Sequence, residues 1–241
     1  MAPKKRKHDE TETSSIMTPS DAAMKVKVSD PRRNADGFLK LGSKIATILV
    51  GSDQQPFSVH QDLITASSPF FAKALEGKFK ERNGTVVLRD CHPPSFSRYL
   101  QWLYNDKFQI EDQRWYTLLS LVILGNYLQD LRFANAVTDF VSTHTDNVGF
   151  FPIVLARVAY LELPASHPFL NLLADFWVYN REPEWFDNEH DELDSKVAPV
   201  EFWIKVAKGL MNNAPKSRAS YPWKLDRCQY HQHEDGEPKC N

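Results

Sequence analysis

Four side chains with metal-binding chemistry lie close together near the C-terminal end of the sequence. Cys228, His231, His233 and Cys240 fall within one short stretch, RCQYHQHEDGEPKC. Two thiolates and two imidazoles can surround Zn²⁺ in a tetrahedron, which is the usual geometry of a structural zinc site. The sequence therefore leaves two interpretations open for this stretch, a disordered tail and a structural zinc site.

The spacing of these residues restricts the backbone that would bring them together. The stretch lacks the CxxC pair of common zinc knuckles, and His231 and His233 can converge only on an extended backbone. Gly236 and Pro238 favour a turn that would return the chain toward Cys228.

Motifs of catalysis are missing from the sequence. It contains no Gly-rich phosphate loop, no GxSxG, no HExxH and no convincing pair of a Cys nucleophile with a His base. The sequence therefore predicts a protein that is not an enzyme.

Composition points to a globular protein inside the cell. The 241 residues are 42% hydrophobic and 12% aromatic, which suffices for a packed core. A formal charge of −2 gives no global attraction to nucleic acid or acidic lipid. No apolar run approaches the ~18 residues that a membrane helix needs, and three cysteines make a disulfide framework unlikely. We therefore expect neither a membrane partner nor direct binding of nucleic acid.

Residues 1–35 are polar and contain few large apolar groups, so they are predicted to form a disordered N-terminal tail. Its beginning, PKKRK, places Lys4, Lys5, Arg6 and Lys7 on a segment that follows a proline. Such a cluster is similar to the basic signals that nuclear import receptors bind. The nucleus is the expected location, with the cytoplasm as a second one; a solvated basic end without a receptor is the alternative.

An α+β pattern follows this tail. IATILVG and FSVH, joined by a polar turn, predict a hairpin, and TVVL predicts a further short strand. Ser68-Pro69 is typical of a helix start, and Pro93-Pro94 begins a helix with an apolar face. The predicted order is strand, strand, helix, helix, strand, helix.

This ordered set of motifs resembles the BTB/POZ family. The resemblance rests on the strand that ends in Gly51, on FSVH, on SPFF, on FKE and on FSRYLQWLY. It implies a small, mainly three-stranded sheet flanked by a helical cluster, with a BTB/POZ domain at residues 36–145. A helical extension at 146–213 and a Cys/His tail at 214–241 complete the predicted organisation.

Periodicity and prolines predict the helices beyond Tyr104. The segment that begins at Trp115 is apolar on nearly all sides between Leu118 and Leu124 and predicts a buried helix, while residues 126–144 predict a second one. Pro152, Pro164 and Pro168 divide the next stretch into two helices, and Pro199 begins a last one.

The family resemblance also implies homodimerisation. In BTB families a strand before the hairpin can be exchanged between subunits, and the first helix packs against its mate. Phe38, Leu39, Leu41 and Ile45 are the candidate residues of the dimer face. An ordinary role in the core is the alternative for all four.

The tripeptide Phe79-Lys80-Glu81 looks like the hydrophobic-x-Glu motif with which many BTB proteins dock a cullin scaffold of ubiquitin ligases. An exposed aromatic anchor beside a carboxylate suits such a contact. The alternative is a loop whose Phe79 folds inward. Family members that recruit corepressors carry an Asp and a basic residue where this sequence has Ile45 and Gln61, which argues against that pocket.

Two functions follow as hypotheses. The first is a dimerising adaptor that brings an unknown client to a cullin ligase in the nucleus, and the second is a nuclear scaffold or transcription-regulatory factor without ubiquitin transfer. A role as the tetramerisation part of a channel is disfavoured because no membrane span is present.

Overall fold

The computed structural model describes residues 30–76, 84–107, 114–149, 152–180, 198–212, 217–237 and 240. Their secondary structure confirms the predicted α+β class. In chain order the elements are β1 (Ile45–Val50), β2 (Gln55–His60), α1 (Gln61–Ser67), α2 (Pro69–Glu76), β3 (Thr85–Leu88), α3 (Pro93–Asn105), α4 (Trp115–Leu128), α5 (Leu131–Val148), α6 (Val154–Glu162), α7 (Phe169–Asn180), α8 (Val200–Met211) and α9 (Pro222–Leu225). Short 3₁₀ turns at Arg218–Ser220 and Arg227–Tyr230 flank α9.

The three strands form one mixed sheet in the order β2-β1-β3. β1 pairs antiparallel with β2, as the predicted hairpin requires, and parallel with β3. The parallel pair needs a crossover connection, which includes α1 and α2. Ala46, Ile48 and Val50 alternate along β1 and are completely buried, so one face of the central strand belongs to the core.

The Ser68-Pro69 start of α2 has the predicted capping geometry. The Ser68 hydroxyl accepts a hydrogen bond from the Phe71 backbone N–H at 3.3 Å and donates one to the Leu128 carbonyl at 2.6 Å. The cap therefore begins α2 and also joins it to the end of α4.

α4 is the central helix of the cluster, as its apolar sequence predicts. Its buried residues lie on several sides: Leu118, Leu119, Leu121, Val122, Leu124, Gly125 and Leu128. A Cβ at Gly125 would lie 3.0 Å from the Cα of Ala134, so the glycine permits the close approach of α4 and α5.

The predicted helix at residues 126–144 has the wrong boundaries. α4 continues to Leu128, Gln129 adopts a left-handed backbone with φ 54°, and α5 then runs from Leu131 to Val148. The Asp130 side chain accepts a hydrogen bond from the Phe133 N–H at 3.0 Å. This N-cap, three residues before Phe133, fixes the start of α5 at Leu131.

The helical extension shares the core of the first domain. The prolines divide α6 from α7 and precede α8 as predicted, and α7 packs against α8. Buried residues from the sheet to Trp223 and Tyr230 belong to one continuous hydrophobic cluster. Among the described residues, no helix combines the length and the apolar character needed to cross a membrane.

The last residues of the predicted disordered tail are part of the fold. Arg32 is fully buried, donates to the Leu103 carbonyl at 3.1 Å and forms ion pairs with Asp30 and Asp106. Its guanidinium lies 4.4 Å from the centre of the Trp102 ring. The ordered structure thus includes residues 30–35, which the sequence assigned to the tail.

A buried carboxylate connects three helices of the cluster. Asp130 is fully buried and accepts hydrogen bonds from the hydroxyls of Ser67 in α1 and Tyr99 in α3, in addition to the Phe133 N–H of α5. Burial raises the pKa of the Asp130 carboxyl, while these hydrogen bonds oppose the rise.

Replacing Asp130 with Ala should destabilise the protein by about 3 kcal/mol, because it removes the α5 cap and leaves buried hydroxyl donors without an acceptor. Urea unfolding of Asp130→Ala and wild type measures the difference. Asp36→Ala, in an exposed loop, is the control and should have almost no effect. Equal midpoints for all three proteins would contradict the structural role of Asp130.

His167, before α7, should make stability depend on pH. Its side chain is 3% exposed, its Nδ1 accepts the Phe169 N–H at 3.2 Å, and burial lowers its pKa to about 4. An unfolded histidine titrates near pH 6.5. Below about pH 6.5 the unfolded chain therefore binds the proton more strongly, so stability falls as the pH falls toward about 4.

An Asn side chain can accept the same N–H without titrating, so His167→Asn should reduce this loss of stability. The measurement is the difference in Tm between about pH 7 and about pH 4.5, which should be smaller in the variant than in wild type. His92→Asn, at an exposed histidine, is the matched control. If His167→Asn and wild type lost Tm equally, His167 would not be the titrating group.

Candidate functional site

Residues 217–237 and Cys240, here named the C-terminal segment, are folded against the helices. Trp223 is completely buried and Tyr230 is 2% exposed. The 3₁₀ turn Arg227–Tyr230 contacts both α5 and α7. The alternative of a disordered tail is therefore wrong for the described part of this segment.

One face of α5 holds the C-terminal segment through three polar side chains, here named the α5 stripe: Asn135, Asp139 and Asp146. Their spacing of four and seven residues places them along one side of the helix. The Asn135 amide donates to the Gln232 carbonyl and accepts from the Gln232 N–H, each at 2.8 Å. Asp146 accepts from the Trp223 indole N–H at 2.9 Å.

Helix α7 also contacts the C-terminal segment. The Tyr230 hydroxyl donates to Asp175 at 2.6 Å, and the Trp223 ring lies edge-on to Phe176 with 4.9 Å between ring centres. Burial, followed by the charge of Asp175, raises the pKa of Tyr230 well above its usual value. The tyrosine thus remains a neutral hydrogen-bond donor.

The structure brings together three of the four metal-binding side chains that the sequence singled out. Candidate ligand atoms of Cys228, His233 and Cys240 all lie within 4.8 Å of one another. The His233 Nε2 lies 3.2 Å from the Cys228 Sγ and 3.8 Å from the Cys240 Sγ. His231 lies at the edge of this group, with its Nδ1 3.1 Å from the Cys240 Sγ.

These separations suit a tetrahedral zinc site. With Zn–S bonds of about 2.3 Å and Zn–N bonds of about 2.0–2.1 Å, two ligands of one tetrahedral ion lie roughly 3.6 Å apart for S and N. The observed S–N separations of 3.1, 3.2 and 3.8 Å lie on both sides of that value. The donor set, two thiols and two imidazoles, is also the one that Zn²⁺ prefers.

The backbone that connects the ligands has the predicted form. His231 is extended, with φ −89° and ψ 152°. A turn follows in which Gly236 has φ +83° and the Glu237 N–H donates to the Glu234 carbonyl at 3.0 Å. Since the left-handed region suits glycine, Gly236 allows the chain to return to the cluster. Pro238, the other predicted turn residue, lies outside the described residues.

Electrostatics in the cluster also favour a cation. Burial raises the pKa of the Cys240 thiol to about 11, and its contact with Cys228 contributes further. The Cys240 N–H points at the Cys228 Sγ at 2.9 Å. A divalent ion binds thiolates and displaces their protons. Its charge would therefore offset the repulsion between the two neighbouring thiolates.

Three of the four candidate dimer residues are exposed. Phe38, Leu41 and Ile45 have 71%, 52% and 51% of their surface accessible, so the alternative of a core role does not apply to them. Leu39 is half-buried and packs against the core. Its backbone forms an isolated β-bridge with Arg33.

The remaining predicted binding residues lie outside the described part of the chain. They are Phe79 and Glu81 of the cullin-like motif and Lys4, Lys5, Arg6 and Lys7 of the import-like cluster. Their roles stay predictions.

His60 has a structural role. Its Nδ1 lies 2.9 Å from the Tyr104 hydroxyl, which also accepts the His60 backbone N–H at 3.1 Å. The histidine thereby joins the end of β2 to α3. Cys91 is half-buried, and burial raises the pKa of its thiol to about 11, which leaves it unreactive.

Sequence reasoning missed the residues of α5 that complete the site. Asp139 lies 3.0 Å from the His231 Nε2, although 92 residues separate them in the chain. The spacing of Asn135, Asp139 and Asp146 indicates a polar face of a helix, but no pattern in the sequence pairs that face with the C-terminal segment.

The described residues thus define a small α+β domain with a helical extension and a folded C-terminal segment. The family model of the BTB/POZ domain matches residues 39–145. Residues 39–145 therefore form a BTB/POZ domain, which is a protein-interaction module. The comparison with curated proteins finds no match.

Proposed function

We propose that this BTB/POZ protein is a dimerising adaptor that brings a client protein to a cullin-RING ubiquitin ligase in the nucleus. The matched family supports the interaction role, because its domain is a protein-interaction module and is typically not an enzyme. Accordingly, no catalytic residue is part of the proposal. The client is unknown, and the helical extension is the surface that we expect it to contact.

The exposed apolar side chains before and at the start of β1 carry the dimer proposal. Phe38, Leu41 and Ile45 expose large apolar groups within one short stretch. The stretch runs beside α1, because the Gln61 N–H donates to the Lys44 carbonyl at 2.9 Å. A second copy that presents the same stretch would cover these groups through a two-fold interface.

Replacing Phe38 and Leu41 with Asp should convert the dimer to a monomer, because two charges would enter the apolar interface. Size-exclusion chromatography with light scattering should give twice 27.7 kDa for wild type and 27.7 kDa for the variant. Leu225→Asp, at a residue of α9 that is also 71% exposed, is the control and should remain a dimer. A wild-type mass of 27.7 kDa at micromolar concentration would overturn the dimer.

Cullin docking is supported by the sequence Phe79-Lys80-Glu81 between α2 and β3 together with the family match. An aromatic anchor gives such a contact most of its affinity, and a carboxylate orients the partner through charge-assisted hydrogen bonds. Both side chains act on the same partner surface, so their joint removal is the decisive change.

The double variant Phe79→Ala, Glu81→Ala should lose co-purification with the cullin while its circular dichroism and Tm stay those of wild type. Lys80→Ala is the matched control, because it changes the middle residue of the same tripeptide and should retain the cullin. Equal recovery of the cullin by all three proteins would remove the docking motif. A wild-type protein that recovers no cullin would favour the second function.

That second function is a nuclear scaffold or transcription-regulatory factor that uses the BTB/POZ fold without ubiquitin transfer. Both functions share the nuclear location, for which the basic cluster from Lys4 to Lys7 is the support. Ile45 and Gln61 stand where corepressor-binding relatives carry an acid and a base, which weighs against recruitment of a corepressor through that pocket.

The cofactor of the proposal is one structural Zn²⁺ held by Cys228, His231, His233 and Cys240. Its support is the approach of three of these ligands to within 4.8 Å and the position of His231 beside Cys240. The ion would stabilise the fold and would not take part in a reaction.

A further inference from the structure

We infer that Asp139 of α5 is a positioning residue of the metal centre, which orients His231 as the fourth ligand and thereby joins the C-terminal segment to the BTB/POZ domain through one bound ion. This inference rests on the structural zinc of the proposed function. It adds a residue of the domain itself to a site whose four ligands all come from the end of the chain.

The geometry of His231 selects one of its two nitrogens as the ligand. Its Nε2 lies 3.0 Å from a carboxylate oxygen of Asp139, and its Nδ1 lies 3.1 Å from the Cys240 Sγ. A carboxylate only accepts, so the Nε2 carries the proton and donates it. The Nδ1 of that tautomer has a lone pair that faces the Cys240 Sγ, one of the three clustered ligand atoms, and a metal ligand requires such a lone pair.

The contact has the form of an outer-shell interaction of zinc sites. Metal-binding histidines donate their second N–H to a carboxylate or carbonyl, which fixes the ring and makes its ligand nitrogen more basic. His231 is well placed for this, because only 8% of its side chain is exposed. Arg227 also approaches Asp139, with its Nη1 3.9 Å from the same carboxylate oxygen.

His233 provides an internal comparison. Its Nε2 faces the two sulfurs, while its Nδ1 lies 3.9 Å from Glu237, too far for a hydrogen bond. Glu237 belongs to the same turn as the ligands, whereas Asp139 belongs to α5. Of these two carboxylates, only that of Asp139 is close enough to hydrogen-bond its histidine and orient the ring.

The α5 stripe turns this contact into a connection between two parts of the chain. Asn135 binds the backbone of Gln232, which lies between the two histidines, and Asp139 binds His231 itself. Helix α5 thus sets the position of both ligand side chains. Binding of the ion and seating of residues 231–240 on α5 should occur together, because each requires the other.

The test begins with the full-length protein and Zn²⁺ alone. Native mass spectrometry should show one ion per chain, which a chelator removes, and no ion on Cys228→Ser, Cys240→Ser. If wild type bound no more Zn²⁺ than this double variant, the metal centre would be overturned and the role of Asp139 with it.

Competition with a chelating dye then measures the affinity of each variant for Zn²⁺. Asp139→Ala should bind about ten- to a hundredfold more weakly than wild type. Asp139→Asn retains an acceptor for the Nε2 proton and should lie closer to wild type. Glu237→Ala, which removes a carboxylate of similar exposure near the other histidine, should have almost no effect.

The visible spectrum of bound Co²⁺ separates orientation from a merely structural role. In wild type it should report tetrahedral coordination with sulfur and nitrogen ligands, and in Asp139→Ala the bands should shift because His231 is no longer held. Affinity equal to wild type, or weaker affinity with an unchanged spectrum, would overturn the orienting role while the metal centre stands.

Discussion

The buried carboxylate of Asp130 is the interaction on which the arrangement of the helices depends. It accepts from a hydroxyl of α1, a hydroxyl of α3 and the Phe133 N–H in the first turn of α5. Burial of a charge is costly unless each lone pair finds a donor, so these contacts permit only a narrow set of helix positions. Gly125 then lets α4 and α5 approach closely, with the Cα of Ala134 3.0 Å from the position of an added Cβ.

The position of α5 in turn decides where the C-terminal segment can lie. The N-cap at Asp130 fixes the rotation of the helix, and the rotation places Asn135, Asp139 and Asp146 on the side that faces the C-terminal segment. The BTB/POZ domain, the helical extension and the Cys/His cluster are therefore joined by direct contacts, although the family match ends at residue 145. A substitution in the core of the domain that changes the orientation of α5 would therefore also move the side chains of α5 that contact the Cys/His cluster.

Short-range chemistry explains which features the sequence could predict. The hairpin, the Ser68-Pro69 start and the proline boundaries depend on residues that are adjacent in the chain, and the structure places all of them as expected. The predicted break between α4 and α5 lies before residue 126 instead of at Gln129, because Gln129 adopts a left-handed backbone without being glycine or asparagine. Asp130 was an available signal, since aspartate is a strong N-cap residue, but the apolar pattern continues across it. The buried Arg32 and the contact of Asp139 with His231 depend on partners more than 70 residues away, which no local pattern encodes.

Hydrophobic burial and metal binding act on different parts of the C-terminal segment. Trp223 and Tyr230 enter the common core, so the first part of the segment is held without an ion. Beyond Tyr230 the described residues, 231–237 and Cys240, are half-buried or exposed, and their described contacts to the helices are polar ones to Asn135 and Asp139. Such contacts stabilise little on their own, because water competes for them. Cys228 is buried and precedes this stretch, and Cys240 lies at its end. An ion bound to both cysteines would close the stretch as a loop. Loss of the ion is therefore expected to open residues 231–240 locally, while the helices beneath them stay folded.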